Sequence, residues 1–150
     1  MISPKEYLLR IGKSKGFGIQ SPWAYRFVRE VVAERWRYYA YDDIERCYPS
    51  RYERKYQKFL FRLRNYVSPH TVMVCDIRSL TPESLSDAIH SCGPHGAVVI
   101  EGIRYDKSTL ALWRSITLRS DIGITFDMYS FAVCFLDGEI YKQHYKLNFL

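Results

Sequence analysis

The spacing of apolar and polar positions predicts helices in the first half of the chain. Residues 10–20 show no periodicity and predict a loop or arm. Ser21-Pro22 is typical of a helix start, and apolar residues at helical spacing then extend this helix over about 22–36. Residues 37–50 are rich in tyrosine, and we expect them to be irregular apart from a short helical turn. A second long helix is predicted over roughly 51–66, with a basic face opposite its apolar stripe.

The pattern changes after Ser68-Pro69 to short apolar runs that alternate with helical segments. Residues 71–77 and 97–103 are typical of buried strands. Between them, Thr81 opens a helix that runs to about Ser91. A further helix, capped by Asp106 or Ser108, follows the second strand and ends near Ile116. This order predicts a parallel strand–helix–strand unit and therefore an α/β fold.

Only strand patterns follow the last helix. They cover residues 123–129, 131–136 and 140–149, and Asp137-Gly138 separates the last two. Because Asp-Gly between two such runs is a strong turn signal, we expect them to form an antiparallel hairpin.

The composition indicates one domain without a membrane-spanning segment. The chain has 150 residues, of which 47% are hydrophobic, and its apolar runs are shorter than a bilayer requires. We expect no signal peptide and a cytoplasmic location. Four scattered cysteines are expected to be reduced and mostly buried thiols: Cys47, Cys75, Cys92 and Cys134.

The charge is uneven along the chain, and tyrosine is abundant. The net charge is +6, and there are 13 tyrosines. The first 75 residues carry 15 Lys and Arg against seven Asp and Glu. A basic half of this kind is compatible with nucleic acid, an anionic ligand or a membrane surface, and also with solubility alone.

Three segments resemble bacterial class I S-adenosylmethionine-dependent methyltransferases of the O-methyltransferase type. Residues 16–28 (GFGIQSPWAYRFV), with 38–41 (YYAY), are similar to the N-terminal region of that family. Residues 59–66 (FLFRLRNY) resemble the helix before its Rossmann-like sheet, and residues 113–145 resemble its last helix and terminal antiparallel strands. The resemblance implies an N-terminal cap over residues 1–67 and a partial Rossmann-like sheet over 68–150.

The chain departs from this family where the cofactor would bind. The family has a glycine-rich loop after its first strand, but residues 78–82 (RSLTP) contain no glycine. Two alignments remain open: residues 71–80 are either a decayed first strand and loop or the family's fourth strand. We prefer the second, in which the three cofactor-binding strands are missing.

On the preferred alignment, Asp76 and Glu101 end the fourth and fifth strands, where related enzymes carry acidic residues. They are the candidate catalytic residues, together with Arg104, and the candidate ligands of a weak Mg²⁺ site. The one Gly-x-Gly in the chain follows no strand. If S-adenosylmethionine binds, this segment supplies the candidate contacts: Gly16, Gly18, Gln20 and Ser21.

The sequence also contains candidate residues for a zinc site and for a nucleic-acid-binding surface. His90, Cys92 and His95 with His70, Cys47 and Cys75 could be recruited to zinc, but their spacing is not that of paired zinc ligands. Nucleic acid could use the tyrosine-rich segment, whose candidates are Tyr38, Tyr39, Tyr41 and Tyr48 with Arg35, Arg37 and Arg46. We favour core and cap packing for those tyrosines.

These observations favour a methyltransferase-like protein that has lost cofactor binding and catalysis and acts as an interaction or regulatory module. The alternatives are an S-adenosylmethionine-dependent methyltransferase with an atypical or dimer-completed site, and a basic nucleic-acid-binding module. Loss of three strands would leave residues 71–77 at an edge of the sheet. We therefore expect the N-terminal helices or a second copy to cover that edge, and we predict a homodimer.

Overall fold

The computed structural model describes residues 4–10, 19–137 and 142–149. The helices are α1 (Pro4–Leu9), α2 (Pro22–Phe27, continued by a π-helical turn over Val28–Val32), α3 (Ala40–Cys47), α4 (Arg51–Val67), α5 (Pro82–Cys92) and α6 (Lys107–Ile116). The strands are β1 (Val72–Asp76), β2 (Ala97–Glu101), β3 (Thr125–Asp127), β4 (Phe131–Phe135) and β5 (His144–Lys146). None of the helices in these ranges is long and apolar enough to cross a bilayer.

The strands form one mixed sheet in the order β1-β2-β4-β3-β5. β1 pairs with β2 in parallel, and β3 pairs with β5 in parallel. β4 lies antiparallel to both of its neighbours, β2 and β3. The predicted α/β fold, with a parallel strand–helix–strand unit, is therefore confirmed. Because β4 alone is reversed, the carboxyl ends of the other four strands lie at the same edge of the sheet.

Helices cover both faces of the sheet, because successive residues of each strand point to opposite faces. Val99 of β2 belongs to the cluster formed with α2 and α4, in which Phe27 and Phe59 are fully buried. Its neighbour Ile100 belongs to the opposite cluster, which contains Trp113 of α6. The basic first half therefore packs directly on the sheet and supplies one side of the core.

The helix starts that the sequence predicts are confirmed by their caps. The Ser21 hydroxyl accepts a hydrogen bond from the Ala24 backbone N–H at the start of α2. Ser50, Thr81 and Asp106 cap α4, α5 and α6 in the same way. These side chains satisfy backbone N–H groups that have no partner within the helix.

The first long helix ends earlier than predicted. Helical bonding stops after Val32, because the Glu34 carboxylate accepts hydrogen bonds from the backbone N–H groups of Arg35 and Trp36 at 2.6 and 2.8 Å. This side chain offers those groups an alternative to the helix. The prediction for residues 37–50 was also wrong in part, since α3 makes two helical turns there rather than one.

The predicted hairpin around Asp137-Gly138 was wrong. β5 pairs with β3 in parallel instead of pairing with β4. β4 has no free edge, because β2 occupies one side of it and β3 the other. The tight hairpin is the one between β3 and β4, where Tyr129 adopts a positive φ of 81°. Gly138 itself lies outside the described residues.

β1 is an edge strand and not the buried strand that its composition indicates. Met73 and Val74 are 36% and 38% exposed, although they point to opposite faces of the sheet. The N-terminal helices lie on one face of the sheet, and in the described part of the chain no strand pairs with the outer side of β1. Among the residues that the structure describes, this edge is therefore unpaired.

The cysteines carry free thiols and are less uniformly buried than expected. Cys92 and Cys134 are buried, Cys75 is half-buried and Cys47 is exposed. Burial raises the pKa of the Cys134 thiol far above its ordinary value. This thiol is therefore unreactive at neutral pH.

Candidate functional site

Three acidic side chains end successive parallel strands at the carboxyl edge of the sheet. Asp76 ends β1, Glu101 ends β2 and Asp127 ends β3. Asp76 and Glu101 are direct partners in the pairing register, and the start of β4 lies between Glu101 and Asp127. The two acids that the sequence singled out are therefore neighbours, as predicted. This edge is the candidate site, since ligands of α/β sheets bind outside the carboxyl ends of strands.

Asp76 is held by the arginine two residues after it. Arg78 Nε lies 3.0 and 3.1 Å from the two carboxylate oxygens of Asp76, and the Arg78 backbone N–H donates to Oδ1 at 2.9 Å. These hydrogen bonds lower the pKa of Asp76 to about 2. The Arg78 guanidinium also lies 5.0 Å from the centre of the Tyr105 ring. Asp76 is thus ionised at neutral pH, and its charge is balanced by its own neighbour.

Glu101 is engaged by α4. The Tyr56 hydroxyl donates to Glu101 Oε1 at 2.6 Å. Burial and this hydrogen bond raise the pKa of Tyr56 well above its ordinary value. Beside it, the Tyr52 hydroxyl lies 2.5 Å from Ser130 Oγ, in the turn before β4. α4 therefore contacts this part of the carboxyl edge through two tyrosines.

Asp127 lies at the centre of a buried ion-pair network. Arg104, in the turn after β2, places Nη1 and Nη2 each 2.7 Å from an oxygen of Asp127. Arg10, which follows α1, donates to Asp127 Oδ1 at 3.0 Å and to the Leu147 carbonyl at 3.2 Å. The side chains of Arg10 and Asp127 are each 2% exposed. Burial opposes the charge of Asp127, but the two guanidinium groups outweigh it and lower the pKa of this carboxyl.

Glu6 and Tyr129 complete the network. Glu6 Oε1 accepts from Arg10 at 2.6 Å and from Arg104 at 3.0 Å, so two arginines face two carboxylates. The Tyr129 N–H donates to Asp127 Oδ1 at 2.9 Å, and its ring centre lies 5.3 and 4.6 Å from the Arg10 and Arg104 guanidinium groups. A positive φ is unfavourable for tyrosine, and these contacts compensate for its cost.

The strand-end acids that are candidate metal ligands already have partners on this chain. Arg78 already balances Asp76, and Tyr56 occupies one oxygen of Glu101. Arg104 points to Asp127 rather than to either of them. In the described ranges, no group of three or more His, Cys, Asp or Glu residues is placed to hold a metal.

The zinc candidates do not form a group of three or more ligands within the described ranges. The His70 and His95 rings lie 5.1 Å apart, and His95 Nδ1 lies 3.2 Å from Asp137. The Cys92 thiol donates instead to the Ala97 carbonyl. The residues that the sequence grouped near the end of α5 thus have separate partners.

The turn after β1 differs from the glycine-rich loop of the resembled family. A 3-10 turn over Ile77–Ser79 connects β1 to the Thr81 cap. Of the candidate contacts in the N-terminal loop, Ser21 caps α2 and Gln20 is exposed. Gly16 and Gly18 lie outside the described residues.

The tyrosine-rich segment divides into packed and exposed side chains. Tyr38 and Tyr41 pack against Phe61 of α4, and Tyr41 is buried. Arg37 pairs with Asp42, and Arg46 pairs with Asp43. Tyr48 is half-buried, whereas Arg35 and Tyr39 are exposed. Tyr38 and Tyr41 are therefore packing residues, whereas Tyr39 and the three arginines lie at the surface.

Most partners of the strand-end acids were missed by the sequence analysis, and so were Asp127 and Arg10. Asp127 ends an apolar run, as Asp76 and Glu101 do, and that shared position could have identified it. Arg10 gave no such signal, because it lies in a segment without periodicity and reaches Asp127 across 117 residues of sequence.

Comparisons of this chain with protein-family models, with curated proteins and with solved structures found no match.

Proposed function

We propose that this protein is a methyltransferase-like interaction module that does not bind S-adenosylmethionine and acts by associating with a second copy of itself. The observation that carries the proposal is the occupancy of the carboxyl edge by the chain's own side chains. Arg78 balances Asp76, Tyr56 binds Glu101, and Arg10 with Arg104 neutralises Asp127. Chemistry at this edge would require these partners to leave.

The sheet supports the proposed relation to the methyltransferases. β1, α5 and β2 form a parallel unit, α6 follows, and the antiparallel β4 lies beside β2. This order agrees with the fourth and fifth strands, last helix and terminal antiparallel strands that the resemblance implies. The cofactor-binding strands would lie beyond β1, where the described sheet ends.

The open edge of β1 supports self-association. The Thr71 carbonyl accepts from the Ala97 N–H, so the alternate residues Val72, Val74 and Asp76 direct their backbone groups outward. The strand contains no lysine or proline, which commonly protect such edges. A two-fold axis through Val74 would pair the two β1 strands antiparallel and place Asp76 opposite Val72 instead of a second Asp76. One ten-stranded sheet would result, since each copy contributes five strands.

Calorimetry and thermal unfolding with S-adenosylmethionine and S-adenosylhomocysteine test the loss of the cofactor. A ligand at a hundred times its dissociation constant would stabilise the fold by ~2.7 kcal/mol, which raises the melting temperature by several degrees. We expect no saturable heat and no shift at millimolar ligand. Binding that Asp76→Asn abolishes would overturn the proposal and favour an enzyme with an atypical site.

A further inference from the structure

A cavity lies away from the carboxyl edge, between residues 34–37, α3 and α4. Its volume is about 540 Å³. Small-molecule sites commonly have volumes of ~300–1,000 Å³. The side chains that line it and matter here are Arg35, Trp36, Arg37, Tyr41, Lys58 and Arg62.

Arg62 is a buried cation without an acidic partner. It is 9% exposed, and its Nε donates to the Val31 carbonyl at 2.6 Å while Nη1 donates to the Tyr41 hydroxyl at 3.0 Å. Both acceptors are neutral. Within the described ranges, no carboxylate forms an ion pair with its guanidinium. A buried charge of this kind is costly unless an opposite charge compensates for it.

The three carboxylates that line the cavity are already engaged. Glu34 accepts the backbone N–H groups of Arg35 and Trp36, and Asp42 pairs with Arg37. The third, on α3, is held by two basic side chains of α4: Glu45 pairs with Lys58 and Arg54. The lining carries four basic side chains against these three carboxylates, a surplus of one positive charge, and in the described part of the cavity Arg35 and Arg62 are the two cations without a carboxylate partner.

The pKa of a neighbouring lysine is consistent with this surplus. Burial lowers the pKa of Lys55, and the positive charges of Arg51 and Arg62 lower it further.

The rim of the cavity offers flat aromatic surface. Trp36 lines the cavity and is 74% exposed. Tyr39, three residues further along the chain, is 98% exposed. The Glu34 carboxylate fixes the backbone that carries the indole. Exposed aromatic rings beside cations are the surfaces on which nucleic-acid bases stack.

We propose that this cavity binds a nucleotide, with a phosphate at Arg62 and Arg35 and the base against the Trp36 indole. The exposed indole favours this ligand over an acidic peptide, which supplies anionic groups but no base. The nucleotide is either a free mononucleotide or part of a single-stranded nucleic acid. This site is independent of the carboxyl edge and of the association through β1.

Calorimetry on the full chain tests the proposal with adenosine monophosphate, inorganic phosphate, a short single-stranded oligouridylate and a duplex of matched length. We expect saturable binding of the mononucleotide or the single strand, and weaker binding of phosphate and duplex. A single strand that binds much more tightly than the mononucleotide identifies nucleic acid as the source. Equal affinities identify a free nucleotide.

Substitutions at the rim locate the binding. Trp36→Ala should weaken it about tenfold or more, the amount expected from the loss of one stacked base. Arg35→Gln should weaken binding of the single strand and reduce the slope of log affinity against log salt by about one. Arg114→Gln, which removes an exposed arginine outside this cavity, is the matched control and should bind as the wild type does.

Arg62→Gln removes the buried charge and should weaken binding of every phosphate-containing probe. Because this variant also loses two hydrogen bonds, its fold is checked by circular dichroism. If Arg62→Gln unfolds, Trp36→Ala and Arg35→Gln still test the proposal. The proposal is overturned if neither the mononucleotide nor the single strand binds, or if Trp36→Ala and Arg35→Gln bind like the Arg114→Gln control.

Discussion

Arg104 and Asp127 form a two-point ion pair, in which Nη1 and Nη2 of the guanidinium each lie 2.7 Å from one carboxylate oxygen. The pair connects the turn after β2 to the end of β3. Arg10 joins the same carboxylate from the N-terminal segment. A single buried acid thus holds together three parts of the chain that are distant in sequence.

Asp127→Asn should be strongly destabilising. It removes the negative charge between two arginines and leaves the buried Arg10 without its main partner. Loss of one member of a buried ion pair commonly costs about 3–5 kcal/mol. The free energy of unfolding in urea measures this loss.

Asp121→Asn is the matched control, because Asp121 pairs with Arg119 at the surface. An exposed pair contributes about 1 kcal/mol or less. If both variants lose the same small amount of stability, the buried network does not hold the fold together as described.

The stabilisation from Asp127 should disappear in acid. Its pKa is lower in the folded protein than in the unfolded chain. The stabilisation of the fold by Asp127 is therefore complete above the pKa of aspartate in the unfolded chain, about 3.9. It declines as the pH falls below that pKa. We expect the difference in unfolding free energy between wild type and Asp127→Asn to be constant near neutral pH and to narrow below about pH 4. A difference that does not change with acid would show that Asp127 is not the responsible group.

Tyr56→Phe tests the hydrogen bond at Glu101. The substitution removes the hydroxyl that donates to Glu101 and keeps the ring that packs against Phe131. We expect a loss of about 1–2 kcal/mol in thermal or urea unfolding, since the acceptor is a carboxylate. Tyr39→Phe, at an exposed position, should change stability by less than about 0.5 kcal/mol. Equal effects of the two variants would contradict the assigned contact.

Gly96→Ala should disrupt the junction between α5 and β2. A Cβ at this position would lie 2.6 Å from the Cys92 Cβ and 2.7 Å from the Thr71 carbonyl oxygen. The Thr71 oxygen belongs to the backbone, so the clash can be relieved only if β1 moves. We expect the free energy of unfolding in urea to fall by about 3 kcal/mol or more. Gly93→Ala is the comparison, since its Cβ meets nothing within 4 Å and only the backbone conformation, a positive φ with ψ near 180°, opposes it, at about 1–3 kcal/mol. A smaller loss for Gly96→Ala than for Gly93→Ala would contradict the packing described.

The elements that depend on local chemistry could be predicted from the sequence. Ser21, Thr81 and Asp106 cap helices by accepting backbone N–H groups of the first helical turn. The parallel pairing of β1 and β2 follows from two apolar runs on either side of a helix. The position of Asp76 beside Glu101 follows from the same unit, because parallel strands end at one edge.

The features that depend on long-range competition could not be predicted. The Asp-Gly signal favours a hairpin between β4 and β5. In the structure, β2 and β3 pair with the two edges of β4, and β5 pairs with β3. The apolar composition of β1 indicates burial, whereas its exposure is decided by the absence of a further described strand beside it. Arg10 has no local pattern that points to Asp127.

Size-exclusion chromatography with light scattering tests the central claim, that β1 is the surface through which this module associates. At micromolar concentration the wild type should have twice the mass of one chain. Val74→Lys should be a folded monomer, because a lysine on an edge strand opposes pairing. Leu118→Lys, which replaces another exposed apolar residue away from β1, should remain a dimer. A wild type that is monomeric throughout this range, or a Val74→Lys variant that stays dimeric, would contradict the account.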